Sequence, residues 1–183
     1  MIHQHELKAK DVHAYTLEML KEHLKIKVDG YICKTDMILN VLIKASAENS
    51  SLEAACGDLE ETADSNTIRE YLNEALPIKE LREQEKQVNK VLACGTPADL
   101  VRTDIEVALD FHDEPFYGKQ AGTRQVTCAG QAKKGTTHFV RIATAYIIWR
   151  QVRLTLAVRY VLPEDETLEI LKFLLQRLKK LGF

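Results

Sequence analysis

The chain has 183 residues, is 45% hydrophobic and 28% charged, and carries a formal net charge of −2. That length suits one medium or two small domains of an ordinary soluble composition. No apolar run approaches the ~18 residues a membrane span needs, the opening "MIHQHELKAKD" lacks the apolar stretch of a secretory leader, and a reducing, cytoplasmic setting is the expectation.

Residues 1–94 read as helical. "DVHAYTLEMLKEHLKI" spaces Val12, Tyr15, Met19, Leu20 and Leu24 along one helix face, and Gly30 breaks the pattern. "KTDMILNVLIKASAEN" repeats it with Met37, Ile38, Val41 and Leu42. In "SSLEAACGDLEE", Ser50 with Glu53 three residues on has the spacing of a capping box. "ADSNTIREYLNEAL" follows, with Asp64 or Ser65 as cap and Ile68, Tyr71, Leu72 and Leu76 as the apolar stripe. Its other face offers Asn66, Thr67, Arg69 and Asn73. Asn and Arg can read base edges in a major groove. Glu70 and Glu74 on the same helix oppose that role and leave an ordinary packed helix as the competing reading. After Pro77, "IKELREQEKQVNKVLACG" predicts a charged helix with Ile78, Leu81, Val88 and Leu92 inward, ending at Gly95. Gly95 and Pro97 mark the expected boundary between a helical region, 1–96, and a second domain, 97–183.

The period then changes from 3.6 to 2. In "DIEVALDFH", Ile105, Val107, Leu109 and Phe111 alternate with Glu106, Ala108, Asp110 and His112, and the strand is expected to end near Asp110. "GKQAGTRQVTCAGQAKKGTT" reads as one long loop. "HFVRIATAYIIW" and "VRLTLAVRYV" read as strands joined by a tight turn at Arg150 and Gln151; in the second, Val152, Leu154, Leu156, Val158 and Tyr160 alternate with Arg153, Thr155, Ala157 and Arg159. "PEDETLEILKFLLQRLKKLGF" predicts a helix from Pro163 with three acids in its first turn, Leu168, Leu171, Leu174, Leu175, Leu178 and Leu181 inward, and Gly182 as its stop. The fold class is therefore α+β: a helical region, then three antiparallel strands and a helix.

Charge divides unevenly. Residues 1–118 hold 13 Lys and Arg against 23 Asp and Glu, which is −10; residues 119–183 hold 12 against 4, which is +8. Either a polyanion binds the basic part, or the two parts attract each other. The cations of interest are Lys119, Arg124, Lys133 and Lys134 in the loop, with Arg141, Arg150, Arg153 and Arg159 on the strands. The four cysteines, Cys33, Cys56, Cys94 and Cys128, form no zinc spacing and read as free thiols.

"VALDFHDEPFYGK" places Asp110, His112, Asp113 and Glu114 within five residues. They suit a polar turn, and Asp110 also suits a metal ligand. With "THFVRIATAYIIWRQVRLTLAVRYV", this stretch resembles DDE-type insertion-sequence transposases over roughly residues 104–183. Residues 34–76 also resemble their helical DNA-binding segment, with "SLEAACGDLEE" and "SNTIREYLNEAL" as a helix-turn-helix.

The resemblance implies the opening half of a ribonuclease-H-like fold, with Asp110 as first catalytic and metal-binding acid. It also implies double-stranded DNA at transposon ends as partner, and a second copy of the chain in a homo-oligomer. Its activity would be cleavage and strand transfer using two Mg²⁺ or Mn²⁺ ions that clamp the attacking and leaving oxygens. The family's second acid follows the next strand and its third lies on a later helix. After Glu114 this sequence has only Glu164, Asp165, Glu166 and Glu169, which suit helix capping. The expectation is a truncated, DNA-binding and catalytically inactive chain that binds no metal tightly. The alternative is a non-enzymatic helical module that acts by binding protein partners.

Overall fold

The computed structural model describes residues 8–100, 105–118 and 125–183. The protein is mixed α+β and forms two compact units, Met1–Glu80 and Leu81–Phe183.

The first unit is helical: α1 (Ala9–His23), α2 (Thr35–Glu48), α3 (Leu52–Asp58) and α4 (Ser65–Ala75), followed by a 3-10 turn at Ile78–Glu80. Its core gathers Ile26, Val28, Cys33, Ile38, Leu39, Val41, Ala55 and Ile68, so the helical spacing does bury one face of α2 and α4. Asn49, in the left-handed conformation, ends α2. The cap of α3 is Ser51, not Ser50: the Ser51 hydroxyl accepts from the Ala54 amide at 3.1 Å. Asp64 caps α4, accepting from the amides of Asn66 and Thr67.

The second unit begins earlier than the Gly95–Pro97 break suggests, because α5 (Leu81–Cys94) packs with the sheet. Four antiparallel strands follow: β1 (Ala108–Pro115), β2 (Cys128–Lys133), β3 (Thr136–Trp149) and β4 (Val152–Val161); α6 (Thr167–Leu181) closes the unit. The long β3 is central. It pairs with β1 along one edge, and with β2 and then β4 along the other. β2 lies inside the stretch read as loop. Its hairpin turns at Lys134 and Gly135, both in the left-handed region, and this geometry rather than any apolar alternation makes it a strand. The described residues thus hold four strands where three were expected.

Ala143, Ala145 and Ile147 of β3, with Leu156, Ala157 and Val161 of β4, pack against Ile170, Leu174 and Leu178 of α6. The alternation expected along β4 does not persist. The register slips between Ala145 and Tyr146, whose partners are Ala157 and Thr155, so Leu156 is the extra residue of a bulge. Leu156 and Ala157 are consequently both buried, and Arg159 moves to the α6 side, where its guanidinium lies 4.6 Å from the Phe173 ring centre.

The last helix starts at Thr167, so Glu164, Asp165 and Glu166 precede or cap it rather than fill its first turn. Leu168 and Leu175, expected inward, are 58% and 56% exposed, while Ile170 takes a core position. Gly182 ends α6 in the left-handed conformation.

The β3–β4 hairpin turns through Arg150 and Gln151, at φ 48° and 66°. Two left-handed non-glycine residues in a row are strained by about 1 kcal/mol each. Gln151→Gly should therefore raise stability by up to ~1 kcal/mol, read as a melting temperature several degrees higher. An unchanged or lower melting temperature contradicts the strain.

Candidate functional site

β1 carries the candidate acid. The strand does not end at Asp110 but runs on to Pro115, because all eight of its residues pair with β3. Alternation along β1 puts Asp110, His112 and Glu114 on one face and Leu109, Phe111 and Asp113 on the other. The Leu109 and Phe111 face is the one shared with Ala143 and Ala145, hence with α6. Asp110 is exposed on the opposite face, directly across from Thr144, which in turn faces Val158.

The neighbouring ionisable groups are engaged elsewhere. His112 Nε2 hydrogen-bonds Glu114 Oε1 along the strand. Asp113 accepts from both Arg141 Nε (2.6 Å) and a terminal nitrogen (2.9 Å), a two-pronged pair on the other side of the sheet. Those hydrogen bonds hold the Asp113 carboxyl below its ordinary range and push the Arg141 guanidinium above its own.

Asp110, His112 and Glu114 thus form a row two residues apart rather than a cage. Among the described residues no three His, Cys, Asp or Glu side chains converge on a metal position. The residues present do not fit a two-ion site: Asp110 offers one carboxylate, and hard divalent ions need several oxygen ligands.

Among the strand cations, two are neutralised. Arg141 belongs to Asp113. Arg159 donates to Glu85 at 2.8 Å, and its other terminal nitrogen is 3.9 Å from Asp165. Lys133, Lys134, Arg150 and Arg153 are exposed and pair with no carboxylate among the described residues. Lys133 and Lys134 sit at the β2–β3 hairpin, whose Lys134 carbonyl accepts from the Tyr117 hydroxyl at 2.8 Å. Arg150 and Arg153 sit at the β3–β4 hairpin. Lys119 and Arg124 lie outside the described residues.

In the first unit, α3 and α4 are consecutive helices joined by residues 59–64. Asn66, Arg69 and Asn73 are exposed on α4. Thr67 is not available in the same way: its hydroxyl donates to Asp64 Oδ2 at 2.6 Å, as part of the helix cap. Arg69 reaches back to Ser65 Oγ and Asn66 Oδ1, both at 3.1 Å. Residues 1–80 carry 9 Lys and Arg against 15 Asp and Glu, a charge of −6, while residues 81–183 carry 16 against 12, which is +4. A polyanion therefore meets a favourable field at the sheet unit and an unfavourable one at the helical unit.

Sequence reasoning passed over two features. Tyr146 holds the guanidinium of Arg153 3.7 Å from its ring centre. Its signal was aromatic content in β3, which also fits core packing. Glu85 and Asn89 of α5 are buried, as is Gln87, where the apolar stripe had been expected to face inward. No periodicity announces buried polar residues.

Comparison with known proteins finds no matching family model, no matching curated protein and no matching solved structure. Among the described residues no helix is long and apolar enough to cross a membrane.

Proposed function

We propose that this chain is the DNA-binding part of a DDE-type transposase, with Asp110 at the position of the first metal-ligating acid of a ribonuclease-H-like domain. The observation that carries the reading is one sheet bearing both an exposed acid on β1 and four exposed cations on its two hairpins that form no ion pair among the described residues. Duplex DNA at transposon ends is the partner, held mainly through its phosphates. Lys133, Lys134, Arg150 and Arg153 make those contacts, with Lys119 and Arg124 as neighbours in sequence. The acidic helical unit adds base contacts from Asn66, Arg69 and Asn73 at most, because phosphate neutralisation supplies most non-specific affinity. A single carboxylate does not assemble a two-ion clamp, so this chain alone binds DNA without cutting it.

Titration of a labelled duplex at stepped salt tests the reading. Affinity should fall steeply with salt, and Lys133→Ala with Lys134→Ala should weaken binding and lower the slope by about 2, near one phosphate per cation. Supercoiled plasmid with Mg²⁺ or Mn²⁺ should remain uncut. Absent or salt-independent binding counts against the proposal, and nicking that disappears in Asp110→Ala overturns the inactivity. The alternative, a protein-interaction module, draws on exposed Leu168 and Leu175 and requires the DNA titration to stay flat.

A further inference from the structure

Arg153 stands apart from the other strand arginines. Arg141 is spent on Asp113, and Arg159 on Glu85. Arg153 is exposed, and its guanidinium is nonetheless held in place: it lies 3.7 Å from the Tyr146 ring centre and donates to Thr144 Oγ1 at 3.3 Å. Neither partner is a carboxylate, so among the described residues its charge is uncompensated while its orientation is fixed. A guanidinium held over a ring keeps N–H donors at its edge, and such donors grip phosphate oxygens; one terminal nitrogen of Arg153 is engaged by Thr144, which leaves its other N–H groups for that role.

Its location follows from strand register. Arg153 pairs with Ile148 across the hairpin, and Tyr146 lies two residues further along β3 on the same face. Thr144, reached by the guanidinium, is two residues beyond Tyr146 and directly opposite Asp110. Directly opposed residues have their β-carbons about 5 Å apart. The guanidinium is therefore one side chain removed from Asp110, on the same exposed face.

We infer that Arg153, held by Tyr146 and Thr144, is a phosphate-positioning residue that fixes the DNA backbone beside Asp110. The inference rests on the DNA-binding reading above and narrows it to one residue and one face. Arg150 contributes charge without such positioning. Its guanidinium stands 5.4 Å from the neighbouring Trp149 ring centre, against 3.7 Å for Arg153 and Tyr146.

The test uses the full chain and a fluorescein-labelled duplex of about 30 base pairs, with affinity measured by anisotropy over a salt series. Arg153→Ala should weaken binding several-fold and reduce the salt slope by about 0.9, the value for one lost phosphate contact. Arg153→Lys, which keeps the charge without the fork, should fall between the two. Tyr146→Leu should weaken binding in the same direction with the charge count unchanged. Lys172→Gln removes a cation that is paired with Glu169 on α6, and should leave the slope unaltered. Circular dichroism verifies that each variant is folded.

A slope unchanged in Arg153→Ala, alongside weakened Lys133 and Lys134 variants, overturns the inference and leaves the DNA-binding reading intact. An equal loss in Lys172→Gln also overturns it, since net charge alone would then account for the effect. If Tyr146→Leu binds as the parent does while Arg153→Ala is weakened, the ring does not position the guanidinium and that part of the inference fails. No binding by the parent chain overturns the reading and the inference together.

Discussion

Glu85→Ala should cost the sheet unit about 3–5 kcal/mol, the range for removing one partner from a buried ionic network. Glu85 is 1% exposed on α5. Its carboxylate accepts from Arg82 at 3.0 Å, from Arg159 at 2.8 Å and from the Tyr160 backbone amide at 2.8 Å. Arg82 also donates to the Tyr160 carbonyl at 2.6 Å and pairs with Asp165. Removing the carboxylate leaves two guanidinium groups with Asp165 where they had two carboxylates, and a backbone amide without its acceptor. Glu85→Gln keeps an acceptor and loses the charge, so it should cost less than the alanine. Chemical denaturation followed by circular dichroism reads both. A loss under 1 kcal/mol in the alanine variant would mean that the network contributes no net stability.

The network accounts for where the sequence misleads. The apolar stripe of α5, Ile78 to Leu92, predicts an inward hydrophobic face, yet Ile78 is 47% exposed in the preceding turn and the buried residues are Glu85, Gln87 and Asn89. Hydrophobic periodicity assumes that burial means apolar contact. Here two of the buried side chains meet the hydrogen-bonding edge of β4, which needs donors and acceptors rather than methyl groups. The same pairing draws α5 into the sheet unit and shifts the division to Glu80 and Leu81, although Gly95 and Pro97 carry the stronger local punctuation.

Elsewhere local chemistry was sufficient. The α2 and α4 stripes, the Asp64 cap, the Arg150–Gln151 turn and the Gly182 stop each rest on interactions within a few residues, and each is where the pattern puts it. The β4 bulge and the β2 hairpin were not legible, because both depend on register against β3 and not on their own composition. The candidate site shows the same division. Alternation alone separated Asp110 and His112 from Leu109 and Phe111. It could not reveal that Asp113 crosses to Arg141, that Thr67 is consumed by a cap, or that Arg153 rests on Tyr146. Those are long-range pairings or cap geometry, and a tally of basic residues counted Arg141, Arg153 and Arg159 as equals.

Asn89→Leu isolates the other half of the edge cover, and it should cost about 2–4 kcal/mol. The Asn89 amide donates to the Val158 carbonyl at 2.8 Å and accepts from the Val158 amide at 3.0 Å, as a neighbouring strand would. Its nitrogen also donates to the Glu85 carbonyl at 2.9 Å, which fixes the side chain's orientation. Leucine has a similar shape, so the dominant change is two buried backbone groups left without partners, each costing roughly 1–2 kcal/mol. Because Glu85 and Asn89 stand one helical turn apart against consecutive outward-facing residues of β4, their losses should not add. A double-mutant cycle should show a coupling of about 0.5–3 kcal/mol. Strict additivity would mean that each residue caps its own segment of the edge independently. The variant should also associate at high concentration, since an unpaired strand edge is a template for another chain. Sedimentation that stays monodisperse over the same range in which Asn89→Leu loses stability would show that α5 still shields the edge sterically, without its hydrogen bonds.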